Sequence, residues 1–423
     1  EQRLAATGVN ITSNNGALVI TGNVQVDDLA AVRPGNQAST TPDLTGVAIN
    51  GNGNQVQIDG LVSVNYAGMV ASRPAAGTTR NGVQVAGDNN TLVIKGGLAV
   101  DYTSEYIGSN WGDHNHGSHY ALYINGSGNT VRLSGESQFH NNGFVAAFEA
   151  AGKVGVLYST GRNNILVLDE NFRLEAVSTD KAHYSTHVLF WVDGAGSVLY
   201  NRGHLVSEMA GGVFYALNGA RIVNEGSVTA ILKPANGHVD TANALIVNGH
   251  NLEKGELVVS SWLTPFNSGQ IHMGGIWAGN QYAAMLGNDD AAVNEGRISV
   301  RGAGTYGMTS RNGTLLNSGT IEVDGMQLLP GEDGNDSGNK QLFTGMNNRE
   351  LRGAGMHLFE SGTATNTGSI TVTNSGTGMF VSGTGVAWNQ GTINLEADGS
   401  HNQQGWLYAM AATGNGVAIN DTT

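Results

Sequence analysis

Apolar and polar residues alternate in short runs along this chain, and many runs begin with the same polar signature. An Asn, any residue and a Gly precede two apolar positions separated by one residue, as in NEGSVTA from Asn224 and NSGTIEV from Asn317. The alternation predicts a short strand with one buried face, and Asn-x-Gly predicts the turn before it. The copies begin at Asn201, Asn224, Asn267, Asn294, Asn317, Asn366 and Asn389.

The copies recur at a distance typical of a solenoid. Successive Asn positions are 23, 43, 27, 23, 49 and 23 residues apart, so one coil takes about 23 residues. Two more apolar runs lie between copies, such as VFYAL from Val213 and TLLN from Thr314. Three strands per coil predict an all-β fold, a right-handed three-stranded parallel β-helix. A β-propeller is the alternative, but its repeats take about 40–45 residues.

The N-terminal half repeats with longer coils. Four Asn-led strands begin at Asn54, Asn90, Asn129 and Asn164, which are 36, 39 and 35 residues apart. The surplus in each coil is polar, Gly-rich and aromatic, and it falls at 65–81, 101–120 and 148–155. We expect one β-helix over residues 1–423, with loop-bearing coils in 1–200 that wall a groove and regular coils in 201–423.

The Asn-x-Gly coils resemble the passenger domains of bacterial type V autotransporter adhesins, and NEGSVTA and NSGTIEVDG are the most typical copies. The likeness covers about the last half of the chain strongly and is nearest to uropathogenic enterobacterial autotransporters that bind glycosaminoglycans and fibronectin. It implies secretion, display on the bacterial cell surface, and a C-terminal outer-membrane barrel beyond this chain. Such coils carry adhesins, proteases and self-associating proteins alike, so the resemblance indicates the fold better than the function.

Composition supports a turn-rich β fold and narrows the range of partners. The chain has 63 Gly and 6 Pro in 423 residues, whereas ordinary proteins have about 7 % Gly and 5 % Pro. Gly permits left-handed turns, and scarce Pro leaves N–H donors for β ladders. A net charge of −14 argues against nucleic acid as a partner. The absence of Cys favours export through an oxidising compartment.

A metal site is the first interpretation of NWGDHNHGSHY at 110–120. His114 and His116 have the spacing of a chelating pair in an extended strand. Asn115, Gly117 and Ser118 instead indicate a turn, so we predict neither a metal nor a cofactor and interpret the segment as a ligand-contact loop.

We therefore predict a carbohydrate site in the loop-bearing half. Flat aromatic faces suit sugar rings, Arg forks match sulfate and carboxylate, and imidazole can donate to both anions. Scattered surface cations also serve solubility, which is the alternative interpretation of each cation, including the nearby Arg132. The predicted contacts are Arg73, Arg80, Tyr106, Trp111, His114, His116, Tyr120, Arg162 and Lys181.

Three functions remain open, and we predict the first, without catalytic residues. It is a secreted adhesin that binds an anionic polysaccharide, a host glycosaminoglycan, in the groove; the resemblance adds fibronectin along the regular C-terminal flank. The second is a polysaccharide lyase or hydrolase, although the adjacent Asp289 and Asp290 would face opposite sides of a strand. Ser337 in GNDSGNK lacks the glycine of a serine-protease motif. The third is a scaffold that self-associates along its Asn-rich ladder.

Overall fold

The structure is a computed structural model that describes residues 6–28, 43–71, 79–107, 118–141, 154–178, 187–208, 211–232, 243–247, 251–261, 282–287, 291–301, 305–324, 354–374, 376–396 and 407–421. These residues form strands and turns and contain no helix. They divide into two compact units, unit 1 at residues 1–222 and unit 2 at residues 223–423. The predicted boundary near residue 200, between loop-bearing and regular coils of one helix, stays a prediction.

The strands of unit 1 differ in length, and the two longest are β11 and β13. Strand β18 ends two residues beyond the unit boundary. The strands are β1 Ala6–Ile11, β2 Ala17–Ile20, β3 Val24–Asp28, β4 Leu44–Ile49, β5 Gln55–Ile58, β6 Val62–Ala71, β7 Thr79–Val85, β8 Thr91–Ile94, β9 Leu98–Ile107, β10 Ser118–Ile124, β11 Thr130–Asn141, β12 Val154–Ser159, β13 Ile165–Ser178, β14 His187–Asp193, β15 Val198–Asn201, β16 His204–Glu208, β17 Gly211–Leu217 and β18 Arg221–Asn224.

Each coil of unit 1 adds one parallel strand to each of three sheets. Sheet A comprises β1, β4, β7, β10, β12, β14 and β17. Sheet B comprises β2, β5, β8, β15 and the first parts of β11 and β13. Sheet C comprises β3, β6, β9, β16 and the last parts of β11 and β13.

Unit 2 repeats the same plan with shorter strands. They are β19 Ser227–Leu232, β20 Asn243–Val247, β21 Asn251–Glu253, β22 Glu256–Ser261, β23 Tyr282–Gly287, β24 Ala291–Asn294, β25 Arg297–Arg301, β26 Thr305–Ser310, β27 Thr314–Asn317, β28 Thr320–Asp324, β29 Ala354–Leu358, β30 Thr363–Asn366, β31 Ser369–Thr373, β32 Gly376–Gly383, β33 Val386–Asn389, β34 Thr392–Glu396, β35 Leu407–Gly414 and β36 Val417–Asn420.

The three sheets of unit 2 are also parallel throughout the described residues. Sheet A comprises β20, β23, β26, β29, β32 and β35. Sheet B comprises the end of β18 with β21, β24, β27, β30, β33 and β36. Sheet C comprises β19, β22, β25, β28, β31 and β34. Three parallel strands per coil confirm the predicted β-helix.

Like residues stack on like residues inside the coils. In unit 1 the buried rings of Phe190 and Phe214 are paired in register, with their centroids 5.4 Å apart. In unit 2 Met308, Met356 and Met379 form a buried column, each in register with the next. Because an inward side chain touches its counterparts above and below, the coils bury a continuous core that one coil alone does not have.

A ladder of buried amides runs along the corner between sheets A and B of unit 1. The backbone N–H of Asn54 donates to the Oδ1 of Asn90, that of Asn90 to Asn129, and that of Asn129 to Asn164, at 2.8–2.9 Å. All four side chains are buried. A buried amide without partners costs about 1–3 kcal/mol, so the ladder explains why Asn recurs at this corner.

The residue before each ladder Asn is left-handed. Asn89 and Asn163 have a φ of 56°, and Gly53 and Gly128 occupy the same place in alternate coils with a φ of 68–69°. A Cβ added to Gly53 would lie 2.3 Å from the Asn15 side chain. Asn and Gly tolerate this conformation best, so their alternation follows from the corner itself.

A second amide ladder runs along the corner between sheets B and C of unit 2. The Nδ2 of Asn294 donates to Asn317, Asn317 to Asn366, Asn366 to Asn389, and Asn389 to Asn420, each at 2.7 Å. Asn294, Asn317, Asn366 and Asn389 are at most 2 % exposed. The alternative of self-association along an Asn-rich ladder does not fit the surface of this corner, because the amides are buried and bonded to each other.

The assignment of Asn267 to a coil between Asn224 and Asn294 is also wrong. Glu253 pairs with Asn224 of the preceding coil and with Asn294 of the following one, so Glu253 holds the ladder position. Asn267 lies outside the described residues, after β22. The segment NSGQIHM from Asn267 matches the Asn-x-Gly repeat better than the segment from Glu253 does. The latter has Gly255 at the expected place but a carboxyl group instead of the amide.

Glu253 is a carboxyl group within a row of amides. It is fully buried, and the Nδ2 of Asn224 donates to both carboxyl oxygens at 3.0 and 2.8 Å. Burial raises the pKa of Glu253 well above its ordinary value of 4.5, against the hydrogen bonds from Asn224 and Gly255. A carboxylate cannot donate as the other ladder members do, whereas a protonated carboxyl can.

We expect Glu253→Gln to raise the free energy of unfolding at pH 7 by about 1–3 kcal/mol, because the amide needs no proton to stay neutral. A raised folded-state pKa stabilises below the unfolded pKa, and this stability is lost as pH rises through the folded pKa. Urea unfolding should therefore show the variant and the native chain converging below about pH 4. Glu295→Gln, at an exposed side chain one coil away, is the control and should change little. A less stable Glu253→Gln protein at pH 7 would contradict this account.

His357 is a buried base on sheet A of unit 2. Its ring stacks on Tyr306 and Phe380, with centroids 5.0 and 4.8 Å apart, and its Nε2 lies 3.0 Å from the Oγ of Ser382. Because it is fully buried, the pKa of His357 falls to about 3. The ring is therefore neutral in the folded protein over the physiological range.

We expect acid to destabilise the protein through His357. A lowered folded-state pKa gives stability above the unfolded value of about 6.5, and this stability is lost towards pH 3 at up to about 1.4 kcal/mol per pH unit. His357→Phe keeps the stacking and should flatten the decline in unfolding free energy, measured by urea unfolding from pH 7 to 4. His204→Phe, at an exposed side chain, is the control, and its unfolding free energy should decline with falling pH as steeply as that of the native protein. An unchanged slope in His357→Phe would assign the acid sensitivity to other groups.

Candidate functional site

The long insertions of unit 1 all leave the coil at one corner, between sheets C and A. The preceding strands β6, β9, β11 and β13 end at Ala71, Ile107, Asn141 and Ser178, and the next sheet A strands begin at Thr79, Ser118, Val154 and His187. These strand ends place the insertions at the same point of successive coils. The groove that they are predicted to wall involves residues outside the description.

The structure shortens the predicted loops. Strands β6 and β9 continue through 65–71 and 101–107, and they pair in register over ten residues, from Val62 with Leu98 to Ala71 with Ile107. The segments VSVNYAGMVA and LAVDYTSEYI are rich in residues that favour strands. The two strands therefore continue into residues that were predicted to be loop.

Arg80 and Tyr120 do not line a surface. They lie near the starts of β7 and β10 and are 1 % and 2 % exposed, and the neighbouring His119, which pairs with Arg80, is 0 % exposed. The ring of His119 lies 5.3 Å from the buried Tyr102 of β9. Their assignment as ligand contacts is corrected, because the strands that follow the insertions bring these side chains inside the coil.

The burial of Tyr120 also shows in its ionisation. Burial, followed by the nearby hydroxyls of Tyr158 and Tyr123, raises the pKa of Tyr120 well above its ordinary value of 10. Its ring stacks on Tyr158 with centroids 5.3 Å apart. Tyr120 is thus part of the buried core of unit 1.

The other predicted contacts are divided between the surface and the undescribed segments. Arg162 is exposed on the turn after β12, where its backbone N–H donates to the Oγ of Ser127 at 3.1 Å. Tyr106 lies on β9, but its side chain is outside the description. The remaining predicted contacts also fall outside the described residues: Arg73, Trp111, His114, His116 and Lys181.

The possible metal ligands and the serine of the protease-like motif lie outside the described part of the chain. Within the described part, no three His, Cys, Asp or Glu side chains are grouped to hold a metal ion. His114, His116, Asp289, Asp290 and Ser337 all lie beyond it.

A row of four aromatic side chains on sheet A, here called the aromatic strip, was not among the predicted contacts. It consists of Tyr123, Tyr158, Trp191 and Tyr215, each in register with the next. The successive ring centroids are 5.6, 5.8 and 4.4 Å apart. All four side chains are partly exposed, whereas the residues on either side in each strand are largely buried.

The strip combines apolar rings with polar tips. The rings of Tyr123 and Tyr158 are almost parallel, with 7° between their planes, and both side chains are partly exposed. Burial, then Asp193, then Tyr123 raise the pKa of Tyr158 to about 12, so its hydroxyl stays protonated at neutral pH. Such rings offer apolar contact and hydrogen bonds at a low cost in conformational entropy.

The sequence contains a signal for this strip in the residues that follow each ring. Each aromatic residue stands three or four positions before a Gly at the end of its sheet A strand, as in LYING, LYSTG, FWVDG and FYALNG. Alignment of the coils on these Gly residues places Tyr123, Tyr158 and Trp191 in one column and leaves Tyr215 one position away.

Some charged side chains of unit 1 are engaged in pairs or hydrogen bonds. The guanidinium of Arg132 on sheet B pairs with Asp169 at 2.8 Å, so it is engaged within the coil stack. Asp193, at the end of β14, accepts a hydrogen bond of 2.6 Å from the Nδ2 of Asn218. Arg162 is the predicted cation that the structure leaves exposed among the described contacts.

We expect Tyr120→Ala to lower the free energy of unfolding by about 3–5 kcal/mol, because truncating a buried aromatic residue leaves a cavity. Tyr123→Ala removes a partly exposed ring on the same strand and should cost less than half as much. Urea unfolding of both variants measures the difference. Equal losses would mean that Tyr120 is not part of the core.

Comparison with known proteins places this geometry in a family. Residues 164–423 match the family described as the BigA third pectate lyase-like domain. The chain is also 32 % identical over 332 residues to BigA, a candidate surface-exposed virulence protein of Salmonella typhimurium strain LT2. That alignment covers 75 % of this chain and 16 % of the relative, so the chain spans a small part of the relative's length. Among the described residues, no helix has the length and apolarity to cross a membrane.

Proposed function

Because the chain belongs to the family of the BigA third pectate lyase-like domain, we propose that it is a module of a surface-displayed bacterial virulence factor. In this proposal the module is an adhesin, exported and held at the outer membrane by other parts of its protein as in autotransporters. Its ligand is an extended polysaccharide of the host.

The aromatic strip is the observation that carries the polysaccharide proposal. Tyr123, Tyr158, Trp191 and Tyr215 repeat once per coil, which is about 4.8 Å along a β ladder. A linear array of ring edges and polar tips suits a linear ligand that lies along the coils. The strip lies on sheet A, and each insertion of unit 1 is followed by a strand of this sheet. In this proposal residues of the insertions and side chains of the strip contact the same polysaccharide.

The ligand's charge is a finer part of the proposal. A glycosaminoglycan needs cations, and the proposal assigns them to Arg162 and to Arg73 and Lys181 in the insertions, with Trp111, His114 and His116 as further contacts. A net charge of −14 and the Arg132–Asp169 pair mean that such binding depends on local groups. Fibronectin remains a second proposed partner, on the regular coils.

A polysaccharide lyase is the second candidate, because the family description is pectate lyase-like. Elimination requires a base and a group that neutralises the uronate carboxylate. An experiment that tests the adhesin should therefore also measure whether the bound polysaccharide is cleaved.

We expect native protein to bind extended glycans on an array, and Trp191→Ala and Tyr158→Ala to weaken binding about tenfold, which is about 1.4 kcal/mol. Tyr200→Ala is the matched control, because Tyr200 is a partly exposed Tyr on sheet B. Arg73→Ala and Trp111→Ala test the insertions, and loss confined to sulfated glycans in Arg73→Ala would support the anionic ligand.

Two outcomes would overturn the proposal. Unchanged binding in both strip variants would remove the strip from the site. Release of unsaturated uronate products from the bound glycans would replace the adhesin with the lyase.

A further inference from the structure

Unit 2 exposes a row of five apolar side chains and one Thr on the outer face of sheet B, here called the apolar row. Adjacent members are paired in register from β21 to β36. Leu316 and Trp388 are 39 % and 41 % exposed, Leu252, Val293 and Thr365 are partly exposed, and Ile419 continues the row by its register with Trp388. The row consists of Leu252, Val293, Leu316, Thr365, Trp388 and Ile419.

Charge is absent from the strands that carry most of this row. Strands β24, β27, β30, β33 and β36 read AAVN, TLLN, TATN, VAWN and VAIN, without an acidic or basic residue. The flanking corners carry ion pairs, Arg311 with Glu360 at 2.8 Å and Lys254 with Glu295 at 4.0 Å. An apolar centre with a charged rim is the usual composition of a protein interface.

The neighbouring sheet C of unit 2 has a different surface. Its outward positions carry Arg297, which bonds Glu256 at 3.3 Å and Glu322 at 2.8 Å in the adjacent coils. The apolar row is therefore a property of sheet B and not of coils in general.

We propose that the apolar row binds the apolar row of a second copy of this chain, with the two β-helices antiparallel. A second copy presents side chains at the same rise per coil, about 4.8 Å, so contacts match along the whole row. A globular partner lacks that periodicity. Because the chain is acidic, two copies also approach best through the face that carries no charge.

The sizes of the side chains favour the antiparallel arrangement. A two-fold axis between the coils of Leu316 and Thr365 places Trp388 opposite Val293, and Ile419 opposite Leu252. Trp388 then meets the smaller Val293 and Leu316 meets the smaller Thr365, as close packing of two faces requires, while Ile419 and Leu252 are equal in size. A parallel two-fold arrangement would place Trp388 against Trp388.

The face is small, which sets the strength of the contact. Strands of four residues, about 13 Å long, over five coil steps, about 24 Å, give roughly 300 Å² of sheet face per copy. Stable interfaces bury about 800 Å² per partner, so we infer a weak dimer in dilute solution. Copies held close together on a surface would associate through many such contacts.

The absence of Cys from the chain allows a direct test by cross-linking. Leu252→Cys and Ile419→Cys are prepared as two separate proteins of different mass, mixed, and treated with a short bismaleimide. Packed sheets lie about 10 Å apart, beyond the reach of a disulfide but within that of such a linker. We expect the mixture to give the heterodimer, and each protein alone to give little product, because like positions lie five coils apart in the antiparallel pair.

Trp388→Glu in both proteins should abolish the product, since it places a charge at the centre of the apolar contact. Val206→Glu, at a residue 40 % exposed on sheet C of unit 1, is the matched control and should leave the product unchanged. Circular dichroism checks that each variant is folded, which an outward side chain should allow.

Each alternative result overturns the proposal. Product from either protein alone indicates a parallel pair, and product that survives Trp388→Glu indicates another surface. Absence of product in the mixture, with sedimentation as a monomer, excludes the dimer. Binding of that monomer to phosphatidylcholine vesicles, lost in Trp388→Glu, would assign the row to a lipid surface. Binding of glycans through the aromatic strip of unit 1 is measured independently, so either proposal can fail alone.

Discussion

The register of one coil on the next is the constraint on which the rest of this structure depends. A strand in a parallel sheet aligns every side chain with its counterparts one coil above and below, so the pattern of a coil is repeated as columns. The Asn ladders, the Met column of unit 2 and the aromatic strip of unit 1 are all such columns. Chemistry that would be slight in one coil becomes a linear array when the register repeats it.

The ladders show why the corners conserve their geometry along the stack. At the B–C corner of unit 2, each Asn side chain donates to the next at 2.7 Å and is buried. Replacing one amide changes the hydrogen bonds of two coils. Glu253 occupies such a position, and its carboxyl group is buried there. Burial opposes the ionisation of this group and raises its pKa. Such a group makes the local stability depend on pH, although the surrounding coils are regular.

The fold follows from the sequence because its signal is local and repeated. Asn317 and Asn366 begin copies whose alternation predicts strands β28 and β31 in the right places. The prediction failed at Asn267 because Glu253 occupies the ladder position. The repeat pattern required an Asn there and so did not include Glu253. It failed at Arg80 and Tyr120 because no local pattern shows how far a strand continues into an insertion. The aromatic strip was missed for a related reason: its members share a column through strand register, and Tyr215 stands one position further from its following Gly than the other three do.

The common exit of the insertions at the C–A corner of unit 1 has a consequence for how such proteins diversify. The strands on either side of each insertion keep their register whatever the number of residues between them, as β6 and β9 do over ten paired residues. Length and composition can therefore change in one coil while the neighbouring coils stay as they are. Natural selection can then alter what one coil touches without refolding the others, and relatives with little similarity in their loops can retain the same scaffold.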